Sequence, residues 1–456
     1  SKHYWLMDAF NENLNEQQAQ QPMGCLHRFS KTIKVVIIGL LILLLMIPMF
    51  MIENLISERG RTQEEAIDEV SEKWSLAQTI TGPYLNLQYP VVTENNGEKK
   101  VSIKDLILFP DELMVNGQLK TEILKRSIYE VNVYQSELTL KGSFSSEELK
   151  KSRIDMDQLQ FDRAAICLNL TDMRGISEQI SITLGDSVYI FEPGMDNRGI
   201  ANTGVHAIAN LSELKQNKKL PYEIKIKLKG SQSLNFIPLG KTTRVDLKAN
   251  WNTPSFTGNY LPNNRNITEK EFSAQWQVLN LNRNYSQVMA DYNTSNIKDI
   301  ENSSFGVNFK IPVEQYQQSM RSAKYAILII LLTFGVIFFT EIMNKTRIHA
   351  LQYLLVGLAL CLFYSLLLSF SEHIGFNPAY LLSSALTIIL VGGYMFGITK
   401  KKKPSLIMSG LLGILYLYIF VLIQLGTFAL LAGSLGLFII LAMVMYFSKK
   451  IDWFNE

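Results

Sequence analysis

Apolar and polar residues are segregated along this chain of 456 residues. Residues 32–52 form one nearly uncharged apolar run, and residues 324–448 contain five more runs joined by short connectors. A helix crosses a bilayer with about 20 apolar residues. The pattern therefore predicts six membrane-spanning helices, one before and five after a polar middle region, residues 53–323.

Lysine and arginine in the short connectors orient these predicted helices, because cytoplasmic loops carry an excess of both. The connectors SEHIGFNP and LGT contain neither residue. The basic residues lie before the first run, after the last run and in two other connectors (Arg28, Lys31, Lys34, Lys345, Arg347, Lys400–Lys403, Lys449, Lys450). This distribution predicts that both termini are inside and that residues 53–323 are outside. Membrane lipids are the expected partners of the apolar runs.

Two short terminal segments are then cytoplasmic. Residues 1–31 contain the amide-rich stretch NENLNEQQAQQ, and residues 449–456 form a tail after the last apolar run. A polar segment with little to bury does not offset the entropy lost on folding. For residues 1–31 we expect disorder or a marginal helix.

In the middle region, apolar and polar residues alternate with the period of two that is typical of half-buried strands. In YEIKIKLKG, Ile224, Ile226 and Leu228 share one face, and the lysines share the other. The same period appears in four further segments (residues 128–142, 179–185, 244–251 and 272–278). We predict an all-β, mostly antiparallel extracytoplasmic domain, either a sandwich or an open curved sheet.

An amphipathic helix is predicted to open this domain. Thr62 and Glu65 have the spacing of a capping box. Apolar residues follow at helical spacing up to Ala77. Gly82-Pro83 is expected to stop the helix, because proline cannot continue it.

Small residues predict where the membrane helices pack. Gly393 and Gly397 have GxxxG spacing, and neighbouring runs contain Gly410, Gly413, Gly433 and Gly436. Small residues let helix backbones approach closely. We expect these glycine faces to pack within one chain.

Charge and motifs argue against nucleic-acid binding and against known catalytic sites. The net charge of +3 is small and the lysines form no basic patch. The five histidines lack metal-ligand spacing, and GxSxG, HExxH and Walker motifs are absent. The three cysteines are interpreted as inert thiols. The sequence predicts no catalytic residue, no cofactor and no metal site.

The strongest polar candidates lie where apolar runs end. Glu341 ends the second run, and Ser371, Glu372 and His373 follow the third. We favour a structural interpretation, because helix ends at an interface meet water. Glu372 and His373 are expected at the outer interface, where they would dock the β domain through a loop containing Tyr316 and Arg321.

Several ordered segments resemble the CreD family of bacterial inner-membrane proteins, which are described as cell-envelope-integrity proteins. The resemblance extends over nearly the whole chain from Ser57. It is carried by WSLAQTITGPYL, RSIYEVNVYQSELTLKGSF, SFTGNYLP, FSAQWQVLNLNR, FGVNFKIPVEQYQQSMRSAKYAIL, RIHALQYLLVGLALCLFYSLLLSFSEHIGF and KKIDWF. The resemblance implies an inner-membrane protein of the envelope stress response, in some lineages a response to β-lactams or colicins. It implies no biochemical activity.

Three hypotheses follow. The leading one is a non-enzymatic envelope protein whose β domain contacts an envelope protein, peptidoglycan or lipid. The second is a transporter or lipid-handling protein with a groove in the five-helix bundle. The third is a membrane-embedded hydrolase or transferase that uses Glu372 and His373.

Overall fold

The computed structural model describes residues 30–449 apart from 96–97, 153, 196–199, 202, 217, 291–293, 310–313, 345–346 and 426–427. The predictions for residues 1–29, including Cys25, and for the tail after Lys449 lie outside the described residues. The chain forms two compact units. We call Ser1–Arg61 with Val313–Glu456 the membrane unit, and Thr62–Pro312 the sheet domain.

Nine α-helices are described, six of them long and apolar enough to cross a membrane. The nine are α1 Ser30–Trp74, α2 Glu147–Lys151, α3 Thr294–Asn302, α4 Glu314–Lys324, α5 Ala326–Asn344, α6 Ala350–Ile374, α7 Phe376–Thr399, α8 Lys402–Gln424 and α9 Ala429–Ser448. The six candidate spans are α1 and α5 to α9. The predicted fold class, a membrane helical bundle with a β domain, is confirmed.

Helix α1 is longer than predicted. It continues without a break from the first apolar run through the charged segment to Trp74, with Pro48 inside it. Proline is tolerated where neighbouring groups satisfy the freed backbone positions. The expected stop at Gly82-Pro83 is wrong, because both residues lie inside strand β1 (Gln78–Asn95).

The other strands of the sheet domain are β2 Glu98–Leu108, β3 Glu112–Arg126, β4 Tyr129–Phe144, β5 Ala164–Leu170, β6 Ser181–Leu184, β7 Ser187–Ile190, β8 Glu192–Pro193, β9 Val205–Ala209, β10 Leu220–Ser231, β11 Ser233–Phe236, β12 Thr242–Ala249, β13 Ser255–Gly258, β14 Asn264–Ile267, β15 Phe272–Leu279, β16 Val288–Ala290 and β17 Phe305–Asn308. All five segments with a period of two contain a strand. The mostly antiparallel prediction is confirmed, since only the pairs β1–β11 and β3–β12 are parallel among the described strand pairs.

These strands form two sheets. Sheet A contains β13, β17, β11, β1, β5, β9 and β8 in that order, and outside this order β2 pairs with β1 and β16 pairs with β2. Sheet B contains β14, β15, β12, β3, β4, β10, β6 and β7 in that order. One apolar core joins residues of both sheets, for example Leu85 of sheet A and Val245 of sheet B. The Trp276 and Phe305 rings, one from each sheet, lie 5.9 Å apart.

Asp172 forms hydrogen bonds with the segment that connects the end of α1 to strand β1. Its Oδ2 accepts a hydrogen bond from the backbone N–H of Leu76 at 2.9 Å. Its Oδ1 accepts from Arg174 Nε at 3.0 Å. Gln78 Nε2 donates to the backbone oxygen of Asp172 at 2.8 Å. Burial acts to raise the pKa of Asp172, but the hydrogen bonds from Arg174 and Leu76 outweigh it and lower the pKa.

We expect Asp172→Asn to lower the free energy of unfolding of the sheet domain at neutral pH by about 1–2 kcal/mol, because charge-assisted hydrogen bonds are lost. The lowered pKa stabilises the fold above about pH 4, the range of an unfolded carboxyl, and this contribution disappears as the pH falls through the folded pKa. The variant should therefore lose less stability on acidification. Thermal unfolding across pH checks this, with exposed Asp186→Asn as the control; identical pH profiles would contradict it.

Of the six glycines that spacing predicts to pack, only Gly436 approaches a neighbouring helix in the described part of the chain. Among the described residues, no atom lies within 4 Å of a Cβ placed on Gly393, Gly397, Gly410, Gly413 or Gly433. A Cβ on Gly392 would instead strike Ser409, and one on Gly436 would strike Tyr418. The buried face of α7 contains Ser383, Thr387 and Gly392. Spacing alone does not say which face of an all-apolar helix packs.

We expect Gly392→Leu to destabilise the membrane unit by about 1–3 kcal/mol, because the larger side chain overpacks the contact with Ser409. The neighbouring substitution Gly393→Leu is the control and should have little effect. Melting temperatures of the whole chain in detergent compare the two variants. Equal melting temperatures would contradict the packing shown here.

Candidate functional site

Glu372, Tyr316 and Arg59 form a polar cluster in the membrane unit, which we call the Glu372 cluster. Tyr316 Oη donates a hydrogen bond to Glu372 Oε1 at 3.0 Å. Arg59 Nε lies 3.8 Å from the same oxygen. The Glu372 side chain is only 11% exposed. Three helices, α1, α4 and α6, therefore meet at one carboxylate.

The connector that the sequence predicted around Glu372 is almost entirely helical. Helix α6 continues to Ile374, α7 begins at Phe376, and only Gly375 separates them. Gly375 has a φ of 79°, a conformation that side chains rarely adopt. Ser371 is buried, and its Oγ donates to the Leu368 carbonyl at 2.9 Å, so its hydroxyl bonds within its own helix.

His373 and Arg321 do not belong to this cluster. Both side chains are exposed. Adjacent residues of a helix point about 100° apart, because the helix has 3.6 residues per turn. Glu372 and His373 are therefore not brought to a common point, as a shared catalytic role would require.

The segment from Tyr316 to Arg321 also differs from its prediction. It lies in helix α4 of the membrane unit, whereas a loop leading from the sheet domain was expected. The bond between Tyr316 and Glu372 consequently joins two helices of the same unit. That the β domain docks on Glu372 or His373 stays a prediction.

A second cluster surrounds Glu341, whose side chain is 10% exposed. Glu341 forms an ion pair with Lys34 of α1. Its Oε2 accepts from Tyr353 Oη at 3.1 Å, and its Oε1 accepts from the Ile348 N–H at 3.2 Å. Lys34 Nζ donates to the Ile348 carbonyl at 3.2 Å. We call these four residues the Glu341 cluster.

The two clusters share one chemistry, a carboxylate held by a tyrosine hydroxyl and by a basic residue of α1. A carboxylate bound in this way is well suited to join helices. Among the described residues, no group of three His, Cys, Asp or Glu side chains is placed to hold a metal ion. Cys167 and Cys361 are buried and not disulfide-bonded.

Sequence reasoning identified both glutamates and Tyr316 but missed three partners. In the sequence, Lys34 indicates only the cytoplasmic side, and no pattern distinguishes Arg59 or Tyr353 from the other basic and aromatic residues. A basic residue at each end of the first apolar run was the available signal. It did not identify the glutamate that each would meet, since these lie more than 300 residues further along the chain.

We expect Tyr316→Phe to loosen α4, because a hydrogen bond to a charged group contributes about 1.5–3 kcal/mol. Hydrogen exchange of residues 314–324 should accelerate while the fold is retained. Tyr325→Phe, the same substitution nearby, is the control. If His373→Ala accelerated exchange as much as Tyr316→Phe does, the claim that Glu372 holds α4 without help from His373 would be refuted.

Each unit also has a preformed concave surface. In the membrane unit, an apolar cavity of about 380 Å³ lies between α5, α8 and α9, lined by residues that include Gly335, Phe339 and Tyr418. In the sheet domain, a polar groove of about 850 Å³ lies on sheet B, lined by residues of β3, β4, β12, β14 and β15. The first suits an acyl chain, and the second suits a hydrophilic ligand.

Comparison with known proteins gives two matches that cover most of the chain. The family model described as "Inner membrane protein CreD" matches residues 30–454. The Inner membrane protein CreD of Escherichia coli (strain K12) is 32% identical over 420 residues, which cover 91% of this chain and 91% of the relative.

Proposed function

The chain belongs to the CreD family of inner membrane proteins, and from that premise we propose that it supports cell-envelope integrity by non-enzymatic contact. In this proposal, the sheet domain lies outside the cytoplasmic membrane and contacts an envelope component. The membrane unit anchors the sheet domain in the bilayer. The charges of the short connectors support this orientation.

The observation that carries the proposal is the groove on sheet B. It is a concave surface of about 850 Å³ built from exposed side chains on regular strands. A rigid sheet holds such side chains in place more precisely than a loop does. A domain with a preformed hydrophilic surface is equipped to bind a partner without transforming it.

The use of the membrane glutamates supports the non-enzymatic part of the proposal. Glu372 and Glu341 each engage a basic residue and a tyrosine hydroxyl. A general acid or base needs its carboxylate within reach of a substrate proton. Both carboxylates instead join helices, and exposed His373 stands apart from them.

A second candidate function is lipid handling, which the apolar cavity between α5, α8 and α9 favours. Its lining is almost purely hydrocarbon, with Gly335 and Gly436 leaving room between the helices. In a bilayer, the ligand of matching chemistry is an acyl chain. This candidate requires the cavity, and the leading proposal requires the groove.

A complementation test separates the two candidates in cells that lack their own copy of the protein. Asn116→Trp fills the groove, whereas Met114→Trp, two residues away on the same exposed face of β3, does not line it. We expect Asn116→Trp to lose tolerance of detergents and β-lactams and Met114→Trp to retain it. Gly335→Phe fills the cavity and should also retain tolerance.

Two other outcomes of this test would contradict contact through the groove. Full tolerance of the Asn116→Trp variant, at the same membrane level as the parent protein, would refute contact through the groove. Loss of tolerance with Gly335→Phe alone would support lipid handling in its place.

A further inference from the structure

We propose that the sheet B groove binds a neutral glycan strand, a chain rich in hydroxyl and amide groups. This inference rests on the proposed function, because it names the class of envelope component that the groove takes. Five neighbouring strands of sheet B present the side chains that would contact this ligand.

Strand register places the lining side chains in two parallel rows across the sheet. The first row contains Thr139, Asn116, Asp246, Gln275 and Asn264 on β4, β3, β12, β15 and β14. The second row, two residues along each strand, contains Glu137, Gln118, Lys248, Ser273 and Asn266. Because alternate residues of a strand share a face, all ten lie on the same side of sheet B.

The chemistry of these rows matches alternating hydroxyl and amide groups. Asn and Gln side chains both donate and accept, Ser and Thr hydroxyls do the same, and the carboxylates accept. A sugar hydroxyl also donates and accepts. Among the described residues, one hydrogen bond joins two side chains of these rows: Asn264 Nδ2 donates to Gln275 Oε1 at 3.4 Å. The other donors and acceptors stand exposed or half-buried on the groove surface.

Charge favours a neutral ligand. On the groove face, Glu137 and Asp246 are acidic and Lys248 is basic, whereas Arg265 pairs with buried Ala274 and therefore lies on the other face of the sheet. Two negative groups and one positive group leave an excess of a single negative charge, which repels a polyanion and is too small to select a polycation. The apolar lining residues Leu247 and Ala274 are buried in the sheet, which leaves no exposed apolar floor for an acyl chain.

Strand β12, in the middle of the groove floor, is not available to pair with a peptide. All of β12, from Thr242 to Ala249, pairs with β15 on one edge and with β3 on the other. A peptide that adds to a sheet needs an unpaired strand edge. A ligand in this groove is therefore recognised by side chains, as a glycan is.

The dimensions favour an extended chain over a compact molecule. Five strands spaced about 4.8 Å apart make the groove about 19 Å long across the sheet. Hydrogen-bonding groups occur on every strand along both rows. Several successive sugar units fit this length, so affinity should rise with the number of units.

The test uses the whole chain in detergent and measures binding of N-acetylglucosamine mono-, di- and tetrasaccharides by calorimetry. We expect the tetrasaccharide to bind most tightly. Gln275→Ala should weaken it about five-fold, as the loss of one net hydrogen bond does. Gln277→Ala is the matched control, since it removes the same side chain from the same exposed face of β15 outside the groove.

Two results would overturn the inference. One is absence of tetrasaccharide binding, and the other is tighter binding of a sulfated, anionic tetrasaccharide. Equal weakening by Gln275→Ala and Gln277→Ala would place the glycan elsewhere and also overturn it.

The outcomes separate this inference from the proposed function. If Asn116→Trp abolishes envelope tolerance but no glycan binds, the envelope contact stands and its glycan identity fails. If the tetrasaccharide binds as predicted while Asn116→Trp cells remain tolerant, the glycan site stands and its role in envelope integrity fails.

Discussion

The membrane unit depends on holding α1 against helices that follow it more than 250 residues later in the chain. Two ion pairs meet this requirement, Lys34 with Glu341 and Arg59 with Glu372. The two basic residues are 25 positions apart, a rise of about 37 Å along a helix. That distance approaches the thickness of a bilayer with its headgroups, about 40–45 Å. Lipid-facing apolar surface supplies no hydrophobic force for association, so polar contacts and close packing have to position α1.

In both clusters, further hydrogen bonds offset the free-energy cost of desolvating the glutamate carboxylate. Each glutamate receives a tyrosine hydroxyl in addition to its basic partner, and Glu341 also accepts a backbone N–H. A buried ion pair contributes to stability only when further hydrogen bonds satisfy its remaining groups. The hydrogen bond from each tyrosine hydroxyl therefore makes favourable an ion pair whose charge attraction alone would not offset desolvation.

The sheet domain presents a different kind of surface. Its largest apolar core lies between sheets A and B, and a second apolar cluster includes Tyr84 and Ile300. The groove on the outer face of sheet B is lined mainly by charged, amide and hydroxyl side chains. Strand alternation produces the apolar core and the polar outer face together, because successive side chains of a strand point to opposite faces of the sheet. A face of this composition stays soluble without a cover and still offers many directional hydrogen-bonding groups. The proposed glycan contact uses those groups without altering the core.

The sequence by itself determined the six candidate spans and the strands with a period of two, and it singled out Glu341 and Glu372. These features depend on local composition: runs of apolar residues long enough for a bilayer, strict alternation, and carboxylates at the ends of apolar runs. Only the tertiary structure decided the partners Lys34, Arg59 and Tyr353, since pairing across hundreds of residues has no local signal. It also decided that Gly392 packs where Gly393 and Gly397 do not, because every face of an all-apolar helix has the same pattern. The end of α1 at Trp74 was equally a tertiary result, since Asp172, almost 100 residues later, binds the N–H of Leu76 and thereby fixes the entry into the sheet.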